Sequence, residues 1–196
     1  MSPLSRCRVA AALLFASSSL LVAQEKEKAD NPFYKFWSKS KVGASVTLKE
    51  TTKVGSPAGA EGDTGEEVKI ITHKLVELTP EKAVVETVVT EGETFGFVQS
   101  APTKHIYPAK MSKDVLDELV KETGAKGEKA RLKVGDKEMD VTYLTGTMKG
   151  GKDDEVDFKL WLSDEVPGAI VKRVRVSKFK GEAVAETTIE VVSFSK

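Results

Sequence analysis

Two histidines, His73 and His105, are the only imidazoles in the chain. His73 stands in an apolar-alternating stretch and His105 in TKHIYP. Neither has a second histidine or a cysteine at metal-ligand spacing, so ordinary structural or surface roles are expected of both. The sequence holds no G-x-S-x-G elbow, no phosphate loop and no dinucleotide fingerprint. A Ser-His-Asp triad assembles across a fold, so spacing does not exclude one, and nothing here favours one. No catalytic residue, metal ligand or cofactor is assigned, and a non-enzymatic protein is expected.

Three charged or unusual stretches remain. KGGKDDEVD gathers Asp153, Asp154, Glu155 and Asp157. Calcium takes such oxygens, but no glycine lies inside the acidic run to turn it, and a solvated hairpin tip is expected. KRVRVSKFK is the strongest basic cluster. Strand alternation puts Lys172, Val174, Val176, Lys178 and Lys180 on one face and Arg173, Arg175 and Phe179 on the other. An anion such as a lipid headgroup would suit it; the plainer expectation is a lysine-guarded edge strand. Glu186 and Glu190 on the following strand are the acids placed to pair with it. WLSDEVPGAIVK, Trp161 to Lys172, ends one strand and starts another. Pro167 fixes φ and has no N–H to give a ladder, and Gly168 accepts positive φ, so Pro-Gly is expected at the centre of a type II turn. Trp161, Pro167 and Gly168 are then a rigid corner, with pocket rim as the sharper reading.

The elements that must position these residues begin after a distinct leader. Arg6 and Arg8 precede Val9 to Ala23, a run without charge. That is the layout of a secretory signal peptide, too short for a spanning helix of roughly 20 residues. Residues 1–24 are assigned to it, with an uncleaved anchor as the other reading. The single cysteine, Cys7, lies inside it. Residues 25–196 then form one exported domain, periplasmic or secreted from a bacterium, without disulfide or thiolate chemistry. The chain carries 30 basic and 30 acidic residues. That balance gives no general attraction to nucleic acid.

Beyond the leader, period-2 alternation dominates. Val46 and Leu48 alternate with Ser45, Thr47 and Lys49. Val68 to Leu78 and Ala83 to Thr90 flank the turn Thr79–Lys82, and Val84, Val85, Val88 and Val89 mark a strand covered on both sides. Leu132 and Val134 precede Gly135-Asp136, a type II′ signal, with Met139, Val141 and Tyr143 after it. Two helices are expected. Phe33, Phe36 and Trp37 share a helical face just after Pro32, either packed on the body or touching a membrane. Val115, Leu116, Leu119 and Val120 recur at helical spacing between Ser112, an N-cap, and Thr123. The fold class is mainly β: one antiparallel, strongly curved sheet or half-barrel of about nine strands with an internal helix packed on it.

The order GASVTLK, LKVGDKEMDVTY, VDFKLWLSDEVPGAIVKRV resembles a group of uncharacterised small exported bacterial β-rich proteins with a late W-x-S-x-x-V-P-G-x-x-V-K segment. Trp161, Ser163, Val166, Pro167, Gly168, Val171 and Lys172 carry that match. More distantly, the meander with a covering helix is similar to periplasmic lipoprotein-carrier half-barrels, whose binding residues have no counterparts to place here. Two functions follow. In the first, the concavity holds a lipid or other apolar small molecule, lined by Val88, Phe95, Phe97, Phe158 and Leu160. In the second, the concavity is filled by the protein's own side chains, and the chain is a structural or protein-interaction module of the cell envelope.

Overall fold

The computed structural model describes residues 27–55, 65–91, 98–117, 126–149 and 153–196. The alternating stretches become strands in the expected places. The first half supplies β1 (Lys28–Asp30), α1 (Pro32–Ser38), β2 (Ser45–Val54), β3 (Glu66–Leu78), β4 (Lys82–Glu91), β5 (Val98–Gln99), β6 (Thr103–Pro108) and β7 (Lys110–Ser112). The second half supplies β8 (Lys126–Val134), β9 (Lys137–Lys149), β10 (Asp154–Leu162), β11 (Ile170–Phe179) and β12 (Glu182–Ser195). Ten of these form one antiparallel sheet in the order β5-β4-β3-β2-β12-β11-β10-β9-β8, with β6 also on β4. The sheet is open. β1 and β7 make a separate two-stranded ribbon.

The order has a simple logic. Each half is a hairpin meander, and the chain starts and ends at the centre. β2 and β12 pair there from Ser45↔Ser195 to Val54↔Ala185. Hairpins close with the chemistry the residues dictate. Gly135 takes φ 59 in the two-residue loop between Val134 and Lys137, as a type II′ turn requires. Lys180 and Gly181 both take positive φ between Phe179 and Glu182, the type I′ arrangement. The Thr79 hydroxyl accepts the Glu81 and Lys82 N–H groups, both at 3.2 Å, and fixes the β3–β4 turn.

Bulges interrupt the ladders at Leu75/Glu77, Trp161/Leu162, Ser177/Lys178 and Val191/Ser193. Each one bends its strand and adds twist, which curls the sheet. The core lies on the inner face of the curl. Val46, Leu48, Leu75, Val85, Ile189 and Val191 line it from the strands. α1 lies against β4 and β6 and closes one end of that face.

The aromatic face of α1 packs inward at its C-terminal end. Trp37 is buried, Phe36 is half-buried, and Phe33 stacks on Tyr107 with ring centroids 5.9 Å apart. Asn31 caps the helix by accepting the Phe33 N–H at 3.0 Å, and Tyr34 donates its hydroxyl to the Thr79 carbonyl at 2.8 Å. Of the three rings, Trp37 is fully committed to the body of the protein, whereas Phe33 stays 45% exposed beside Tyr107.

The second expected helix is helical over residues 113–117. Ser112 ends β7, and its hydroxyl is buried without a partner among the described residues, so it does not act as the cap. Val115 is exposed and Leu116 half-buried. Leu119 and Val120 lie outside the described residues, as do the signal-like residues 1–24.

Another element enters the core instead. β9 pairs with β10 only from Thr142 to Lys149, so Lys137–Val141 and their β8 partners run on beyond the end of β10. This overhang brings Met139 and Val141 into the cluster with Val166 and Val171, where both are buried.

Candidate functional site

β11 lies between β10 and β12 and is paired on both sides, which overturns the expectation of a guarded edge. Its alternation divides the basic run between two faces. Lys172, Val174, Val176 and Lys178 stand on the outer face. Arg173 and Arg175 stand on the inner face, in the same cross-strand rows as Ile189 and Thr187.

The two faces differ in electrostatics. The outer lysines are matched: Lys172 Nζ meets Glu190 at 2.5 Å and lies 5.8 Å from the Trp161 ring centre, and Lys178 meets Asp157 at 2.5 Å. The Lys178 bond, with a hydrogen bond from Thr147, holds the Asp157 carboxyl below its ordinary pKa. The Glu190 pairing is the one expected from sequence.

The inner arginines have no such match. Neither has an ion-pair partner among the described residues, and the buried Nε of Arg173 has no hydrogen-bond partner there. Burial pulls the Arg173 pKa down, with repulsion from Arg175 next; Glu50, two strands away in the same row, pulls it back up. A guanidinium keeps its charge under such a pull. The neighbours of the pair are apolar on one side: Arg173 faces Leu160 and Arg175 faces Phe158 across the β10–β11 ladder.

His73 shares the inner face with the arginines. It stands on β3, three strands from β11 and four residues along from the row of Arg173. On a flat sheet that offset would separate the two by roughly 19 Å. Yet Arg173 contributes to lowering the His73 pKa, after burial and the neighbouring His105. The side chains of Arg173 and His73, both on the inner face, reach toward each other across that offset. The imidazole Nδ1 lies 2.8 Å from Thr87 Oγ1.

The sequence-derived site residues separate into groups. Phe158 and Leu160 share the inner face with the arginines and are half-buried. Val88 pairs with Thr72 and through it with Thr47, a row of the outer face, so it does not share a wall with them. Phe95 and Phe97 lie outside the described residues. Trp161 is on the outer face, 5.0 Å from the Tyr143 ring and beneath Lys172. Pro167 is fully buried and Gly168 lies under Trp37, so this corner belongs to the core and is not a rim. The turn itself forms as expected: Gly168 takes φ 74 and the Ala169 N–H donates to the Val166 carbonyl at 2.8 Å.

From sequence, an anion site is weighed for the basic run as a whole, and the arginine pair is not singled out within it. Its signal was present, since arginine occupies one face of the run and lysine the other. Elsewhere a concavity of about 710 Å³ lies between Phe36 and the Leu162–Glu165 segment where β10 ends, with Lys129 and Asp140 in its wall. Its rim mixes both charge signs. Among the described residues, no group of three or more His, Cys, Asp or Glu side chains is placed to hold a metal ion.

No family model and no curated protein matches the chain. Two solved structures are similar in part. One is a domain assigned to outer membrane lipoprotein sorting from Vibrio parahaemolyticus, at 10% identity over 82% of this chain and 88% of that one, TM-score 0.25. The other is a DUF1329 family protein from Desulfovibrio piger, at 10% identity over 83% and 90%, TM-score 0.23. Likeness at this level carries no argument about function.

Proposed function

We propose that this chain is an exported protein of the bacterial cell envelope that binds a lipid or other apolar ligand on the inner face of its open sheet, without catalysing a reaction. The observation that supports the reading is the unequal finish of that face. From β4 and β6 to the Pro167-Gly168 corner, α1 and Trp37 fill it. Along the β10–β11 ladder away from that corner, Phe158 and Leu160 remain half-exposed beside two arginines that have no ion-pair partner among the described residues. Ligand sites combine such apolar walls with a few convergent polar groups.

Protein purified from its native envelope and analysed by native mass spectrometry should carry a ligand. The ligand should be lost in Phe158→Asp, which places a charge in the wall. Repeated preparations without bound mass above background would sink the reading. The second reading, an envelope interaction module with a filled core, is favoured by one observation: Trp37 is buried within the core cluster as a built-in occupant.

A further inference from the structure

We infer that Arg173 and Arg175 receive the anionic head group of a single-chain amphiphile whose tail lies along Phe158 and Leu160. The inference rests on the lipid-binding reading above and adds the chemistry of the head.

Four observations converge on it. First, the cations of β11 are sorted by type. The outer-face lysines Lys172 and Lys178 are each spent on a carboxylate, and the inner-face arginines are not. Second, arginine is the side chain whose planar fork matches a carboxylate or phosphate with two parallel hydrogen bonds. Residues two apart on one strand point to the same face roughly 7 Å apart, close enough for two forks to converge on one anion. Third, the buried Arg173 Nε is a donor without an acceptor among the described residues. Buried polar groups are satisfied as a rule, so an unmet donor on a ligand-facing wall marks where a ligand oxygen belongs. Fourth, among the described residues Glu50 is the one acid that acts on Arg173, against two arginines in the same patch. The direct cross-strand neighbours of the pair, Phe158 and Leu160, continue the patch as an apolar surface.

The test is a binding series on the purified chain with four probes: dodecanoate, dodecyl phosphate, dodecanol and inorganic phosphate. The two anionic amphiphiles should bind at least ten-fold more tightly than dodecanol, and inorganic phosphate should bind far more weakly than either. The double variant Arg173→Gln with Arg175→Gln should erase the preference and leave dodecanol unchanged. If that variant does not fold, salt on the wild-type chain gives the same answer, weakening dodecanoate and leaving dodecanol alone. Equal binding of dodecanoate and dodecanol would overturn the head-group assignment and keep the apolar site. Inorganic phosphate binding as tightly as dodecyl phosphate would overturn the amphiphile and leave a plain anion site. Binding of none of the probes would overturn this inference together with the lipid-binding reading.

Discussion

The indole of Trp37 rests on the backbone of Gly168 so closely that a Cβ added there would stand 2.8 Å from its Cζ2 atom. The Pro-Gly corner and α1 are thus two halves of one joint. Gly168 also holds φ 74, a conformation that disfavours other L residues. Gly168→Ala should therefore lose on both counts, by roughly 2–5 kcal/mol. Urea unfolding measures it, and a loss below about 1 kcal/mol would show that the joint is loose.

Trp37→Ala should cost roughly 3–5 kcal/mol, the usual range for a buried aromatic. The pair is also coupled. Removing the indole removes the clash that a Cβ at position 168 creates, so the double variant should be more stable than the sum of the single losses implies, by about 1–3 kcal/mol. Strict additivity would mean that the Gly168 requirement is purely one of backbone conformation.

Met139 and Leu116 make a sharper contrast. From sequence, Leu116 is the core residue of a covering helix and Met139 one position of a hairpin. In the structure Met139 is buried and Leu116 only half-buried. Met139→Ala should cost roughly 2–5 kcal/mol. Leu116→Ala should cost clearly less, by at least about 1 kcal/mol, because part of its surface is already in water. Equal costs would show that the helical segment at 113–117 contributes to the core as fully as the β8–β9 overhang.

These contrasts mark where sequence reading stopped. The strands were legible because period-2 alternation and turn residues are local: Gly135 and Pro167-Gly168 each closed the turn their chemistry calls for. Strand order was not legible. Nothing local to KRVRVSKFK tells an interior strand from an edge, and that depends on β12 returning to pair with β2. The face of Val88 was lost for a related reason. Its strand has apolar residues at consecutive positions, and only the register against Thr72 separates inside from outside. The arginine pair was visible as a pattern, but its meaning waited on the finding that the lysines opposite are paired and the arginines are not.

His73 offers a test of the electrostatics of the inner face. Burial, His105 and Arg173 all hold its pKa below the ordinary value of 6.5. The folded imidazole is therefore harder to protonate than the unfolded one. The stability linked to His73 is fully present above pH 6.5 and is lost as pH falls from there through the folded pKa, because the unfolded chain takes the proton first. NMR titration of the His73 ring should show the lowered pKa, and urea midpoints should fall between pH 7.5 and pH 5.5. Arg173→Gln removes a cation that acts on the ring, so the His73 pKa should rise and this pH dependence should shrink. His105→Asn should act in the same direction from the neighbouring strand side. If Arg173→Gln leaves the His73 titration where it was and His105→Asn moves it, Arg173 does not face His73 across the inner surface.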